Sequence, residues 1–150
     1  MKVRVTGVTV LLSLLVLVLL ACGETTSLAP AAASATLGLP VLPKNAAGFI
    51  DLSVEQLAKS MASKDFTLVN VHVPDQGSLP NTDLSIPFDR IRGNMDKLPG
   101  KDAPIVLYCR SGGMSAQAAA ELAAAGYTKL YMLGGGFDAW KAAGRELLNK

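Results

Sequence analysis

The run Cys109-Arg110-Ser111-Gly112-Gly113-Met114-Ser115 holds the residues whose types and spacing point most directly to chemistry. A strand-like apolar stretch, Pro104 to Tyr108, precedes it, and an alanine-rich segment with helical character, Ser115 to Ala125, follows. A turn between strand and helix aims several backbone N–H groups and the positive end of the helix dipole at one point, which stabilises an anion there. A thiol at that point is expected to ionise and act as a nucleophile. Gly112 and Gly113 are read as the residues that permit the tight curvature, and Ser115 as the helix N-cap. An inert, buried cysteine at a strand end is the plain alternative. Two glycines and a capping residue directly after the thiol favour the reactive reading.

The elements that must position this loop alternate along the chain. Strands are expected at Ile50 to Leu52, Phe66 to Val73, Leu84 to Phe88, Pro104 to Tyr108 and Lys129 to Leu133. Ser53 caps a first helix with Val54, Leu57, Ala58 and Met61 on one face. A short helix is expected within Asp89 to Leu98. Gly134-Gly135-Gly136 turns into a last helix holding Phe137, Trp140 and Leu147. Such alternation predicts an α/β fold of three layers, a mainly parallel central sheet with helices on both faces. Ligands in these sheets bind beyond the carboxyl ends of the strands, where Cys109 falls.

The front of the chain reads differently. Lys2 and Arg4 precede an apolar stretch from Val8 to Ala21, the order of a secretory signal peptide. It is short and wrongly flanked for a membrane span. The chain therefore divides into a signal peptide over 1–21, a tether over 22–47 and a folded domain over 48–150. Residues Glu24 to Ala47 are rich in Ala, Ser, Thr, Pro and Gly, as in a flexible linker. Loss of residues 1–21 leaves twelve basic against twelve acidic side chains, so no basic face and no nucleic-acid partner are expected.

The sequence Leu19-Leu20-Ala21-Cys22-Gly23 resembles the lipobox of bacterial lipoproteins. That resemblance implies lipid attachment at Cys22, a membrane anchor and an extracytoplasmic location, in the periplasm or at the cell surface. With Cys22 acylated, Cys109 has no intramolecular disulfide partner. An ordinary signal peptide or an uncleaved anchor stays open as the alternative.

From Leu52 to Leu147 the chain resembles single-domain rhodaneses, the fold of thiosulfate sulfurtransferases. The resemblance is carried by the CRSGGMS loop, by Ala125-Gly126-Tyr127, and by Gly134-Gly135-Gly136-Phe137-Asp138-Ala139-Trp140. It implies that Cys109 takes sulfane sulfur from thiosulfate or from a persulfide or polysulfide donor. The sulfur is held as a persulfide and passed to a thiol or cyanide acceptor. It further implies that the loop from Arg110 through Ser111, Gly112, Gly113 and Met114 to Ser115 cradles the outer sulfur, that Arg110 attracts an anionic donor, that no cofactor takes part, and that the protein is a monomer. Cysteine phosphatases of similar topology need an arginine six positions after the cysteine to grip the equatorial oxygens. Ser115 stands there, so phosphatase chemistry is set aside.

Three departures bear on substrate. Met114 stands where many rhodaneses carry arginine, which lowers the expected affinity for thiosulfate and favours a less anionic donor. Asn70-Val71-His72 replaces an Asp-Val-Arg sequence, and Ser78 to Asp83 replaces a Gly-His-Ile-Pro-Gly-Ala stretch, which puts a salt-bridge network there in question. His72 is the only histidine. It is read first as a structural residue bonding the nearby loop, with a Cys-His dyad as the alternative. One histidine and one thiol are too few ligands for a metal site. A rhodanese fold used as a binding or redox-sensing module is the competing functional reading.

Overall fold

The computed structural model describes residues 38–148. The signal-peptide segment, Cys22 and the first part of the tether lie outside the described residues. Five strands, β1 (Ile50–Leu52), β2 (Thr67–Asn70), β3 (Leu84–Ser85), β4 (Ile105–Tyr108) and β5 (Leu130–Leu133), form one sheet in the order β1-β5-β4-β2-β3. Every pairing is parallel. Helix α1 (Val54–Ser60) follows β1, α2 (Gly113–Ala124) follows β4 and α3 (Gly136–Ala142) follows β5.

The sheet separates two apolar layers, as expected for a three-layer α/β fold. Strand alternation sends Ile105 and Leu107 to one face, with Val69, Leu130 and the α2 residues Ala118, Ala119 and Leu122. Val106 and Tyr108 go to the other, with Leu68, Tyr131, Leu57 of α1 and Phe137 and Trp140 of α3. All four residues of β4 and of β5 are buried, the pattern of parallel strands covered on both sides. Alanines at 118 and 119 have no bulk beyond Cβ, which lets α2 lie close to the sheet.

Element boundaries shift where local chemistry overrides the apolar pattern. Ser53 caps α1 through a full capping box: its Oγ accepts from the Gln56 N–H at 3.2 Å, and Gln56 Oε1 accepts from the Ser53 N–H at 2.8 Å. The expected helix within Asp89 to Leu98 is instead two 3₁₀ segments, Phe88–Arg90 and Arg92–Lys97. Gly93 and Asn94 are poor helix formers, and Asn94 sits at φ −125°. The last helix ends at Ala142, so Leu147 packs on the α3 side of the sheet from an irregular segment.

Residues 38–47 contact the domain. Leu39 and Leu42 pack on the α1 and α3 layer, and Ser60 Oγ donates to the Gly38 carbonyl at 2.8 Å. The stretch between β2 and β3 is held at its β3 end by Asp83, whose carboxylate accepts from the Leu68 N–H at 2.7 Å and pairs with Lys64, and nearer its centre by neutral hydrogen bonds. Tyr108 Oη accepts from the Leu79 N–H at 3.0 Å and lies 2.8 Å from Thr82 Oγ1, while Asn70 Nδ2 donates to the Gly77 carbonyl at 3.1 Å. Neutral amide and hydroxyl groups thus hold this stretch around Asn70 and Tyr108.

Candidate active site

Strand β4 delivers Cys109 at its carboxyl end, beside the end of β2 that leads to His72 and the turn after β5 that leads to Gly136. Cys109 is 1 % exposed. The chain leaves the strand through Arg110 and Ser111 and enters α2 at Gly113, with Gly112 in the N-cap position at φ +108°. That positive φ is open to glycine at little cost. It turns the chain into α2, while the Gly112 N–H donates to Cys109 Sγ, 3.1 Å away.

The helix therefore starts two residues before Ser115, and Ser115 is not its N-cap. Gly112 takes the cap position because its left-handed conformation feeds the chain straight into the first turn. Ser115 lies inside that turn, its Oγ 2.9 Å from the Gly112 carbonyl oxygen and 3.5 Å from Cys109 Sγ, so its one proton serves the carbonyl while the sulfur is protonated and turns to the sulfur when the thiol ionises. Gly113 lacks a positive φ, so the curvature credited to both glycines belongs to Gly112.

Burial works against the Cys109 thiolate, but hydrogen bonds from the Ser115 hydroxyl and from the amides of Ser115, Gly112 and Ser111 outweigh it. The thiol is held below its ordinary value of 9.0. No second charged side chain is needed for this, because the donors come from the loop and the first turn of α2.

The loop is clamped from behind by the second glycine turn. The N–H groups of Phe137 and Asp138 donate to the carbonyls of Cys109 and Arg110 at 2.9 and 3.0 Å. These are first-turn donors of α3 that have no partner within their own helix. Peptide planarity then links the two sides: with these carbonyls held toward α3, the amides that follow them are fixed as well.

A cavity of about 350 Å³ opens over the sulfur, bounded by His72, Arg110, Ser111, Met114 and Gln117. Arg110 is more than half exposed, and its Nε donates to Asp138 Oδ2 at 3.1 Å. Asp138 also pairs with Lys141 at 3.2 Å. The hydrogen bond from Arg110 and then that from Lys141 hold the Asp138 carboxyl below its usual range. The charge expected to draw an anionic donor is thus shared with a carboxylate. Met114 is partly buried and packs on the α2 side of the core.

His72 departs from its expected structural role. It is buried and lines the cavity, yet neither ring nitrogen has a hydrogen-bond partner among the described residues. Asp138, Gln117 and the clamp at Gly136 were not foreseen from sequence. Gln117 was legible in principle, since it lies one helical turn beyond Gly113 and Met114.

A family model described as a rhodanese-like domain matches residues 53–143. A protein named sulfurtransferase from Allochromatium vinosum is 37 % identical over 102 residues, covering 65 % of this chain and 94 % of that protein. The thiosulfate sulfurtransferase GlpE of Shewanella oneidensis is 33 % identical over 98 residues, covering 63 % and 95 %. Among solved structures, a rhodanese-like domain protein from Staphylococcus aureus superposes with a TM-score of 0.57 at 28 % identity, covering 67 % of this chain and 96 % of that one. Fold, cradle and sequence similarity converge, and the chain belongs to the rhodanese-like domain family.

Proposed function

We propose that this protein is a sulfurtransferase that carries sulfane sulfur as a persulfide on Cys109. The observation that carries the reading is a buried thiol whose ionised form is favoured by a hydroxyl and three amides, at the base of a cavity that opens to a donor. In loading, Cys109 Sγ attacks the sulfane sulfur. The bond from that sulfur to the rest of the donor breaks with its electron pair, leaving sulfite from thiosulfate or a thiolate from an organic persulfide. Arg110 to Ser115 then enclose the outer sulfur. The sulfurtransferase names of the relatives support the same chemistry at the level of the family.

Intact-mass measurement of the full chain after brief exposure to thiosulfate, and separately to polysulfide, tests this. A gain of about 32 Da, one sulfur atom, is expected. Absence of an adduct with both donors would sink the reading in favour of a binding or sensing module.

Donor preference follows from charge. Met114 contributes no cation, and Arg110 is paired with Asp138, so an organic persulfide suits the cavity better than the thiosulfate dianion. Met114→Arg is expected to raise kcat/KM for thiosulfate about tenfold, the worth of one charge-assisted hydrogen bond at a partly screened site. Turnover with an organic persulfide of no other charge should change less, by about twofold at most. Steady-state assays with both donors check this, and no gain with thiosulfate would exclude missing charge as the deficiency.

The location is part of the same proposal. Lys2, Arg4, the apolar segment Val8 to Ala21 and the Leu-Leu-Ala-Cys-Gly sequence support export and anchoring through an acylated Cys22. Mass spectrometry of the mature amino terminus is expected to find an acylated Cys22. Retention of residues 1–21 would refute processing.

A further inference from the structure

His72 combines burial, an unspent hydrogen-bonding capacity and a place in the wall of the Cys109 cavity. Its backbone is fixed: the His72 N–H donates to Asn70 Oδ1 at 3.0 Å, and Asn70 is itself tied to the Gly77 carbonyl. Its ring meets Phe137 edge to face at 5.2 Å and 86°. Both ring nitrogens are nevertheless buried without a partner among the described residues. Leaving a buried polar atom unpaired costs free energy, so a group kept this way in a cavity wall calls for a partner in another state of the protein.

We propose that His72 is the base that takes the proton of the thiol acceptor when the Cys109 persulfide is discharged. This rests on the sulfurtransferase reading above. Loading needs such a base less, because the Gly112 amide 3.1 Å from Sγ already assists ionisation of the Cys109 thiol. Discharge needs it more. An acceptor thiol has an ordinary pKa of about 8.5 and is mostly protonated at neutral pH. Among the groups bounding the cavity, the Arg110 guanidinium offers only donors, and the Ser111 hydroxyl, the Met114 thioether and the Gln117 amide are not bases in this range. Imidazole is the remaining group that can accept a proton there.

The step balances without an oxidant or reductant. The acceptor sulfur attacks the outer sulfur of Cys109–S–SH while its proton passes to a His72 nitrogen. A bond forms between acceptor and outer sulfur, and the bond from outer sulfur to Sγ breaks. The electron pair returns to Sγ, where the Gly112 amide receives the thiolate. The products are R–S–SH, the Cys109 thiolate and protonated His72, which then loses its proton to water. Because both nitrogens are covered in the free chain, the imidazole must turn about its Cβ–Cγ bond as the acceptor enters.

The test separates the half-reactions in the full chain carrying His72→Gln. Loading from polysulfide, followed by mass, is expected within about twofold of the unsubstituted chain, while discharge by 2-mercaptoethanol slows at least about tenfold. Discharge by sulfite in mildly alkaline buffer, where the attacking sulfur bears no proton, should be unchanged. Unaltered thiol discharge, or equal slowing of loading and both discharges, overturns the proposal. Since His72 is the only histidine, its imidazole ¹⁵N resonances give a second reading in the unsubstituted chain. They should shift when thiol is added to the loaded protein, and resonances that stay put overturn the proposal even if the variant fails to fold. If no persulfide forms on the unsubstituted chain, the sulfurtransferase reading falls first and this role falls with it.

Discussion

Cys109→Ser is expected to abolish sulfur transfer while leaving the fold intact. The loop supplies the Gly112 amide at 3.1 Å and the Ser115 hydroxyl at 3.5 Å to a thiol whose pKa these donors lower from the ordinary thiol range. A serine hydroxyl starts far above that range, and the same donors leave it protonated at neutral pH. Oxygen also lacks the polarisable lone pair that makes a persulfide accessible by displacement. Turnover with thiosulfate or polysulfide should fall at least about a thousandfold, and the mass gain should vanish. Stability should change little, by about 1 kcal/mol or less, because the smaller hydroxyl keeps the hydrogen-bonding partners of the sulfur. Thermal unfolding, intact mass and steady-state turnover measured on one preparation check all three statements. Retained turnover in the folded variant would remove Cys109 from the reaction.

The same loop shows what a sequence displays and what it conceals. The strand, the nucleophile and the following helix were legible because apolar runs, glycines and alanines carry local preferences that the sheet does not oppose. Asn70 and Tyr108 sit directly opposite each other across β2 and β4, which makes the neighbourhood of His72 and Cys109 a consequence of register. The strand pattern places both at carboxyl ends, but not as partners of one cavity wall. The cap was misread because Ser115 has the right chemistry for an N-cap, whereas Gly112 has the right φ, and backbone conformation decided. Asp138 was hidden for a different reason. Its contact with Arg110 spans twenty-eight positions and depends on α3 docking behind the loop. No local spacing rule encodes such a contact. His72 lies between these cases: its place beside Cys109 follows from topology, but the unpaired state of its nitrogens is a property of packing alone.

Gly136→Ala is expected to damage both stability and site. Gly136 sits at φ +55°, a left-handed conformation that costs an alanine about 1–2 kcal/mol. Space is the larger obstacle, because a methyl group there would meet the carbonyl oxygens of Cys109 and Arg110, the latter at 2.5 Å. Both contacts are with backbone, which cannot swing aside as a flexible side chain would. Relief requires α3 and the loop to separate, and the hydrogen bonds from the Phe137 and Asp138 amides to those two carbonyls are then lost. A loss of about 3 kcal/mol or more is expected, with persulfide loading reduced in whatever folds, since the orientation of the cradle depends on that clamp. Gly113→Ala provides the contrast within the nucleophile loop. Gly113 has no positive φ, no atom within 4 Å of an added Cβ, and a position inside α2. There alanine should be neutral or stabilising by up to about 1 kcal/mol, through its better helix propensity. Thermal unfolding of the two variants side by side tests whether close backbone approach, rather than glycine content, holds the loop in shape. Similar midpoints for both would show that the clamp is dispensable.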